Sequence, residues 1–300
     1  MSKPTVVIHG GAGRAIGSES REAKIRRALE EILDKVWQRA VDGESAVELA
    51  EYAGVLLEDC EHFNAGRGSK IQSDGSVRMS AALMDGQRCA FSGIVNAQDV
   101  QNPTVMAARL QGEPDRVLDA RGAELLAREM KLPLFDPVVE RQLQKWWEET
   151  RKERGFEAKD EEPSSQVDER GMGTVGAVVR DVEGRLAAST STGGRGFERI
   201  GRVSDTPTVA GNYATEAAAV SATGIGEDIV DEALAARIVV MVEGGMELED
   251  ALKQAMERAR GRERRFGVIA VDAEGRLSWA KTTEILLGAG RRGEQIRWAF

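Results

Sequence analysis

The chain has 300 residues, of which 41% are hydrophobic and 30% charged, a composition typical of globular proteins with a large buried core. Its net charge of -9 argues against a nucleic-acid partner, which needs a basic face, and no apolar run approaches the roughly 20 residues of a membrane helix. The chain has two cysteines, too few for a disulfide framework, and two histidines, too few for a zinc site built from several histidines. Because the first residues do not resemble a secretory signal and the cysteines suggest no disulfides, we expect a cytoplasmic protein.

The N-terminal segment predicts a strand and two helices. Residues 5–8 are apolar, which predicts a buried strand, and the glycines of residues 9–13 predict a loop after it. Apolar residues at helical spacing predict an amphipathic helix over about residues 20–40, and Ser45 begins a second helix.

The following segment mixes turns, strands and helices. In chain order the pattern predicts a glycine turn at 63–68, a hairpin around Asp74-Gly75, a strand at 90–95, helices opened by Pro103 and by Pro114 that reach about Met130, and a charged helix at 139–154.

Hairpins and helices also fill the second half of the chain. Residues 155–172 are polar without an apolar period, which predicts a linker. Beyond it we expect a hairpin over 174–192, helices at about 227–243 and 247–260, and a last hairpin at about 266–281. Adjacent hairpins with separate helices favour an α+β protein whose antiparallel sheets are covered by helices. The turn sequence from Asp181 to Leu186 nearly recurs from Asp272 to Leu277, which we interpret as repeated turn chemistry.

The Gly173-Thr174 pair stands where the linker meets the next predicted strand. If the bond between these residues is cut, Thr174 becomes an N-terminus that carries a nucleophilic hydroxyl and an amine able to take its proton. A free α-amino group titrates near pH 8, so much of it is a neutral base at physiological pH. By itself, Thr174 would more often simply begin a strand.

Seven short motifs place this pair in a wider pattern: His9-Gly-Gly-Ala-Gly13, Phe63-Asn-Ala-Gly66, Met84-Asp-Gly86, Thr174-Val-Gly-Ala-Val178, Thr190-Ser-Thr-Gly-Gly194, Gly201-Arg-Val-Ser-Asp-Thr-Pro207 and Ala222-Thr-Gly-Ile-Gly-Glu227. Together and in this order they resemble the plant-type asparaginase and isoaspartyl peptidase family of N-terminal-nucleophile hydrolases. The resemblance implies a single domain with a four-layer αββα fold. It also implies self-cleavage between Gly173 and Thr174 into an α subunit, 1–173, and a β subunit, 174–300.

The residues fit such a hydrolase chemically. Thr192 lies 18 positions after Thr174 (192 − 174) on the partner strand, where its hydroxyl can contact the nucleophile. Arg202 and Asp205 offer one cation and one anion, which match the carboxylate and the ammonium group of an amino acid. Read alone, such a pair is more often a surface ion pair of little worth.

The resemblance implies further roles. It gives the substrate carboxylate to Arg202 and the substrate amine to Asp205. It implies that Thr223 and Gly224 form the oxyanion hole, in which each preorganised donor is worth about 100- to 1,000-fold in rate. It also implies that Asn64 contacts the Thr174 amine.

The resemblance also implies ligands and partners. No cofactor is needed for the chemistry, but a structural sodium ion is expected on backbone carbonyls, a kind of ligand with almost no side-chain signature. The residues concerned are Leu57, Glu58, Cys60, Phe63, Ala65 and Arg67. The implied substrates are L-asparagine and β-aspartyl dipeptides, small molecules rather than nucleic acids or membranes, and the implied assembly is a dimer of αβ units.

Three alternatives stay open at the level of the sequence. The first is a glycosylasparaginase, although that relative has Thr-Asn-Gly where this chain has Thr192-Gly193-Gly194. The second is a binding protein of the same fold that never matures, because Met172 departs from the His-Asp or His-Gly found before the nucleophile in relatives. The third is a hydrolase based on His9. Ser204 replaces the usual glycine of its loop, which bears on the substrate range.

Overall fold

The computed structural model describes residues 3–153 and 173–300. Two β-sheets pack face to face between two layers of helices. The strands are β1 Thr5–Gly13, β2 Met79–Asp85, β3 Ala90–Ala97, β4 Val117–Leu118, β5 Val175–Arg180, β6 Leu186–Thr192, β7 Asn212–Ala214, β8 Ala218–Gly224, β9 Phe266–Asp272, β10 Leu277–Lys281, β11 Ile285–Arg292 and β12 Gln295–Ala299. The helices are α1 Glu19–Val41, α2 Ala46–Asp59, α3 Pro103–Arg109, α4 Ala120–Glu129, α5 Glu140–Glu153, α6 Gly226–Glu232, α7 Leu234–Glu243 and α8 Leu248–Arg260, with a 3₁₀ turn at Leu110–Gly112.

The larger sheet has eight strands in the order β12-β11-β1-β5-β6-β2-β3-β4, and the smaller has four in the order β10-β9-β8-β7. Neighbouring strands run antiparallel, apart from β3 and β4, which run parallel. The α+β sandwich inferred from the sequence is confirmed. Within residues 3–153 and 173–300, none of the helices has the length and apolar content that a membrane span requires.

Alternation along the strands divides the core among three interfaces. In β1, Val6 and Ile8 face helices α1 and α2, whereas Val7 faces the smaller sheet. In β5, Val179 and Val178 divide in the same way. Because successive side chains of a strand point to opposite faces, a strand buried on both sides reads as a continuous apolar run. A third cluster lies between the smaller sheet and helices α6 to α8.

Local sequence signals explain the helix and turn boundaries that were predicted correctly. Helix α2 begins after Ser45, whose hydroxyl accepts the Glu48 N–H while the Glu48 carboxylate accepts the Ser45 N–H. The repeated turn is also real. Asp181 Oδ1 accepts the N–H groups two and four residues ahead, and Asp272 Oδ1 does the same.

Two predictions in the N-terminal half are wrong. Residues 9–13 form no loop, because β1 continues through them on its pairing with β11, with a register shift between His9 and Ala12. Asp74-Gly75 forms a turn closed by Gly75 N–H to the Gln72 carbonyl, but the flanking residues are not strands.

Other corrections concern helix and strand boundaries. Pro114 does not open a helix, since α4 begins later, after the cap Asp119. The helix predicted at 227–243 is divided at Ala233, whose φ of 46° is left-handed. Strands β11 and β12 follow the last predicted hairpin and were missed. The predicted linker, 155–172, lies outside the described residues.

Candidate active site

A cavity of about 670 Å³ lies where Gly173 enters β5 and where β6 and β8 end. Its size falls in the range of roughly 300–1,000 Å³ usual for small-molecule sites. Seven of the predicted site residues line it: Asn64, Gly173, Thr174, Thr192, Arg202, Asp205 and Gly224.

The hairpin of β5 and β6 brings the two threonine hydroxyls together. Val175 pairs with Ser191 across the hairpin, so Thr174 and Thr192 come opposite each other one step further on. The Thr174 hydroxyl donates to Thr192 Oγ1 at 3.1 Å. Thr192 Oγ1 also accepts the Gly194 N–H at 3.2 Å, which fixes its position beside the predicted nucleophile.

Asn64 holds the peptide unit before Thr174. Its N–H donates to the Gly173 carbonyl at 3.0 Å, and its own carbonyl accepts the Gly193 N–H at 2.8 Å. The Asn64 side chain is bonded on both sides, donating to the Gly194 carbonyl at 2.6 Å and accepting the Lys70 N–H at 2.8 Å. A donor on the Gly173 carbonyl lies where negative charge would develop if a nucleophile attacked that carbon.

Gly173 cannot be replaced without movement. Its φ of +150° is one that residues with a side chain rarely adopt, and a Cβ there would lie 2.1 Å from Asn64 Cβ. A side chain at position 173 would therefore push against Asn64, the residue whose N–H holds the Gly173 carbonyl.

The end of β8 provides the next part of the site. The Thr223 hydroxyl donates to the Thr174 carbonyl at 3.4 Å, and Gly224 lines the cavity with a φ of +137°. The structure thus places the predicted oxyanion pair beside the predicted nucleophile, with the Thr223 hydroxyl on the carbonyl of Thr174 itself.

Arg202 is held by two carboxylates that the sequence reading did not assign. Its Nη1 donates to Glu198 at 2.8 Å, while its Nε and Nη2 donate to Glu227 at 2.7 and 3.1 Å. Each of these bonds uses one N–H of its nitrogen. As far as the described residues are concerned, the second N–H of Nη1 and the second N–H of Nη2 remain available for a ligand. Such a fork matches a carboxylate ligand.

Asp205 lies beside Arg202 at the same end of the cavity. Burial raises the pKa of Asp205 to about 7, although the Arg202 guanidinium acts in the opposite direction. A Cβ on Gly226 would lie 2.7 Å from both Arg202 Nη2 and Asp205 Oδ1, so the glycine lets backbone approach both groups. Ser204 is buried and also lines the cavity.

Glu58 of α2 is buried against β6 and forms hydrogen bonds there. Its Oε1 accepts the Ser191 hydroxyl at 2.6 Å, the Thr104 hydroxyl at 2.6 Å and the Thr104 N–H at 3.1 Å. Burial raises the pKa of Glu58 to about 7, against the opposing effect of these hydrogen bonds. In the sequence, Glu58 is an acidic residue next to Leu57 on the apolar face of α2, and only its backbone carbonyl was predicted to have a role.

His9 does not contact the nucleophile hydroxyl. Its Nε2 lies 2.9 Å from Ser221 Oγ, which in turn lies 2.7 Å from Thr190 Oγ1, and His9 and Ser221 are fully buried. Burial lowers the pKa of His9 to about 3. A serine and a histidine closed off from the cavity do not support a hydrolase based on His9.

The loop predicted to bind sodium turns back on itself, with two of its glycines close to loop carbonyls. Gly66 and Gly68 have positive φ, and a Cβ on either would lie within 3 Å of loop carbonyls, those of Glu58 and Phe63 among them. The Glu58 carbonyl accepts the Arg67 N–H. In the part of the chain that the structure describes, no three His, Cys, Asp or Glu side chains group as metal ligands.

Comparisons with known proteins find similar chains over almost the whole length. A family model described as asparaginase matches residues 2–300. An isoaspartyl peptidase/L-asparaginase of Nostoc sp. is 44% identical over 297 residues, covering 98% of this chain and 93% of the relative. One of Synechocystis sp. is 44% identical over 299 residues, covering 98% and 89%. A plant-type L-asparaginase of Pyrococcus horikoshii is 36% identical over 288 residues, covering 93% of each chain.

Proposed function

The chain belongs to the asparaginase family, and we propose that it hydrolyses the side-chain amide of L-asparagine and the isopeptide bond of β-aspartyl dipeptides with Thr174 as nucleophile. The observation that carries this proposal is the pair of hydroxyls, Thr174 on Thr192 at 3.1 Å, in a cavity that also contains Arg202 and Asp205. A nucleophile, a carboxylate binder and an ammonium binder are what an amidase for aspartyl compounds requires.

The proposed mechanism begins with self-cleavage. The Thr174 hydroxyl attacks the Gly173 carbonyl carbon, and the Asn64 N–H at 3.0 Å stabilises the negative charge on the carbonyl oxygen. The C–N bond breaks, the amine of Thr174 takes up the proton, and an ester joins Gly173 to the Thr174 hydroxyl. Water hydrolyses that ester and leaves subunits 1–173 and 174–300.

The mature enzyme repeats the attack on a bound substrate. Arg202 binds the α-carboxylate and Asp205 the α-ammonium group, while the Thr174 amine takes the proton of its own hydroxyl. The hydroxyl attacks the side-chain carbonyl, whose oxygen is stabilised by Thr223 and Gly224, and the leaving amine receives the proton. Water then hydrolyses the β-aspartyl ester and frees Thr174. No cofactor takes part.

The remaining expectations belong to the same proposal. A sodium ion on the loop from Leu57 to Arg67 would stiffen the segment that carries Asn64, so exchange of sodium for a large organic cation should lower the melting temperature. We also propose a dimer of αβ units, which sedimentation can test, and a cytoplasmic location, which the free thiols of Cys60 and Cys89 suit.

The decisive test compares Thr174→Ala with Thr174→Ser. We expect the alanine variant to stay uncleaved at 32.5 kDa on denaturing gels and to be inactive, because it lacks the nucleophile. The serine variant keeps a hydroxyl and should mature and hydrolyse asparagine, though more slowly. Activity in a folded Thr174→Ala protein would refute the mechanism. Assays with glycosylated asparagine separate the glycosylasparaginase alternative, and a wild-type chain that never cleaves would favour the binding-protein alternative.

A further inference from the structure

Besides Thr174, two sets of residues line the cavity, and we call them its two ends. One end carries Arg202 and Asp205, which the proposed function uses for the α-carboxylate and α-ammonium groups. The other end is formed by the last residues of β1 and by the segments that flank β9 and β10: Gly13, Arg14, Arg265, Thr282, Thr283 and Glu284. Nothing in the hydrolysis of asparagine occupies this second end, because its leaving group is only ammonia.

Two adjacent arginines precede β9, Arg264 and the cavity residue Arg265, and they differ in their environment. Arg264 is paired with Asp228 at 2.8 Å and with Asp231 at 2.6 Å, which ties it to α6. Arg265 is exposed and lines the cavity, and within residues 3–153 and 173–300 its guanidinium has no carboxylate partner. Arg264 is therefore held by α6, whereas Arg265 lines the cavity and its guanidinium is not paired with a carboxylate of the described residues.

The backbone of Arg265 is anchored although its side chain is not. Its N–H donates to Asp228 Oδ2 at 2.8 Å, and its carbonyl accepts the Ile225 N–H at 3.0 Å. The next residue, Phe266, is fully buried and pairs with Gly224 across the smaller sheet. The backbone of Arg265 is thus fixed beside Gly224, one of the predicted oxyanion donors.

We propose that Arg265 binds the carboxylate of the amino acid that leaves when a β-aspartyl dipeptide is cleaved, and so favours dipeptides over asparagine. This inference rests on the proposed function and adds a specificity residue to it. The departing amino acid of such a dipeptide carries a free α-carboxylate close to the scissile bond, and arginine is well suited to a carboxylate. The acid at this end, Glu284, accepts the Ala15 N–H at 3.0 Å, and the cations Arg14 and Lys70 also line the cavity.

The test uses three substrates: L-asparagine, β-aspartyl-leucine and β-aspartyl-leucine amide, in which the carboxylate is replaced by a neutral carboxamide. Wild type is compared with Arg265→Gln and with Arg88→Gln. Arg88 is a matched control because it is exposed in the turn after β2, at the opposite end of that strand from Ser80, which pairs with Thr192. Each variant is matured first, and the cleaved fraction is measured on a denaturing gel.

We expect Arg265→Gln to lower kcat/KM for β-aspartyl-leucine about five- to tenfold, mainly through KM, because one charge-assisted hydrogen bond is lost. Its kcat/KM for asparagine and for the amide should change less than twofold, and Arg88→Gln should match wild type throughout. The wild type itself should prefer the free acid over the amide by a similar factor, a comparison that needs no mutant to fold. Arg265→Lys, which keeps the charge, should recover part of the loss.

The ratio of dipeptide to asparagine activity does not depend on the amount of active enzyme, so incomplete maturation cannot imitate the effect. An unchanged ratio in Arg265→Gln, or equal wild-type rates on acid and amide, would overturn the inference and leave the proposed function intact. If wild type hydrolysed neither asparagine nor the dipeptide, the proposed function itself would fail.

Discussion

Replacement of Gly173 by alanine should stop maturation. A Cβ at this position would lie 2.1 Å from Asn64 Cβ, whereas carbon atoms in contact prefer about 3.5–4.0 Å. The two groups must therefore separate by about 1.5 Å. A shift of that size is enough to break the hydrogen bond from the Asn64 N–H to the Gly173 carbonyl, which is 3.0 Å long.

The rate effect follows from the lost donor. Loss of one preorganised oxyanion donor typically costs about 100- to 1,000-fold in rate. The φ of +150° adds a strain of about 1–3 kcal/mol for a residue with a side chain. We therefore expect Gly173→Ala to cleave at least about 100-fold more slowly than wild type, measured from the decay of the uncleaved band on denaturing gels.

Gly245→Ala separates backbone strain from the clash. Gly245 also has a positive φ, +89°, but a Cβ there meets nothing within 4 Å. This variant should lose some stability and mature at the wild-type rate. The reasoning would be refuted if Gly173→Ala folded, as judged by a cooperative melting transition, and still cleaved within about threefold of wild type.

Four further predictions concern Thr192, Asp205 and Glu58. Thr192→Val removes the acceptor of the Thr174 hydroxyl and should lower kcat on asparagine about tenfold in the matured enzyme; an unchanged kcat would deny Thr192 its role. Because burial raises the pKa of Asp205 to about 7, kcat/KM for asparagine should fall more steeply in wild type than in Asp205→Asn as pH drops from about 8 to about 6, the fall that remains in the variant coming from the Thr174 amine. Glu58→Ala leaves three buried donors unpaired at about 1–3 kcal/mol each and should lower the free energy of unfolding in urea by at least about 3 kcal/mol. The raised pKa of Glu58 also means that the fold favours its neutral carboxyl form. The free energy of unfolding therefore contains a contribution that is fully present below pH 4.5 and is lost as pH rises through about 7. Glu58→Gln, which cannot ionise, should not show that loss.

The sequence was sufficient where the interacting residues are close along the chain. Ser45 and Glu48 form their capping box within one helical turn, and Asp181 closes its turn within four residues. The contact of Thr174 with Thr192 was predictable for the same reason, since a short hairpin fixes which residues lie opposite each other.

Features that depend on distant segments escaped the sequence reading. The glycines of residues 9–13 read as a loop because their own propensity is for turns, yet pairing with β11, far along the chain, makes them a strand. The same pairing creates β11 itself, whose apolar run from Ile285 to Leu287 is only three residues long and is followed by Gly-Ala-Gly-Arg-Arg.

Charge pairing divides in the same way. The sequence singled out Arg202 and Asp205 as a cation and an anion, but only the fold brings Glu227, 25 residues further on, against Arg202, and raises the pKa of Asp205 by burial. Likewise Arg264 and Arg265 are indistinguishable as letters. The fold places Asp228 and Asp231 of α6 against Arg264 and leaves Arg265 without a carboxylate among the described residues. The sequence could not show this difference, because Coulomb attraction and desolvation depend on distance and burial in space rather than on separation along the chain.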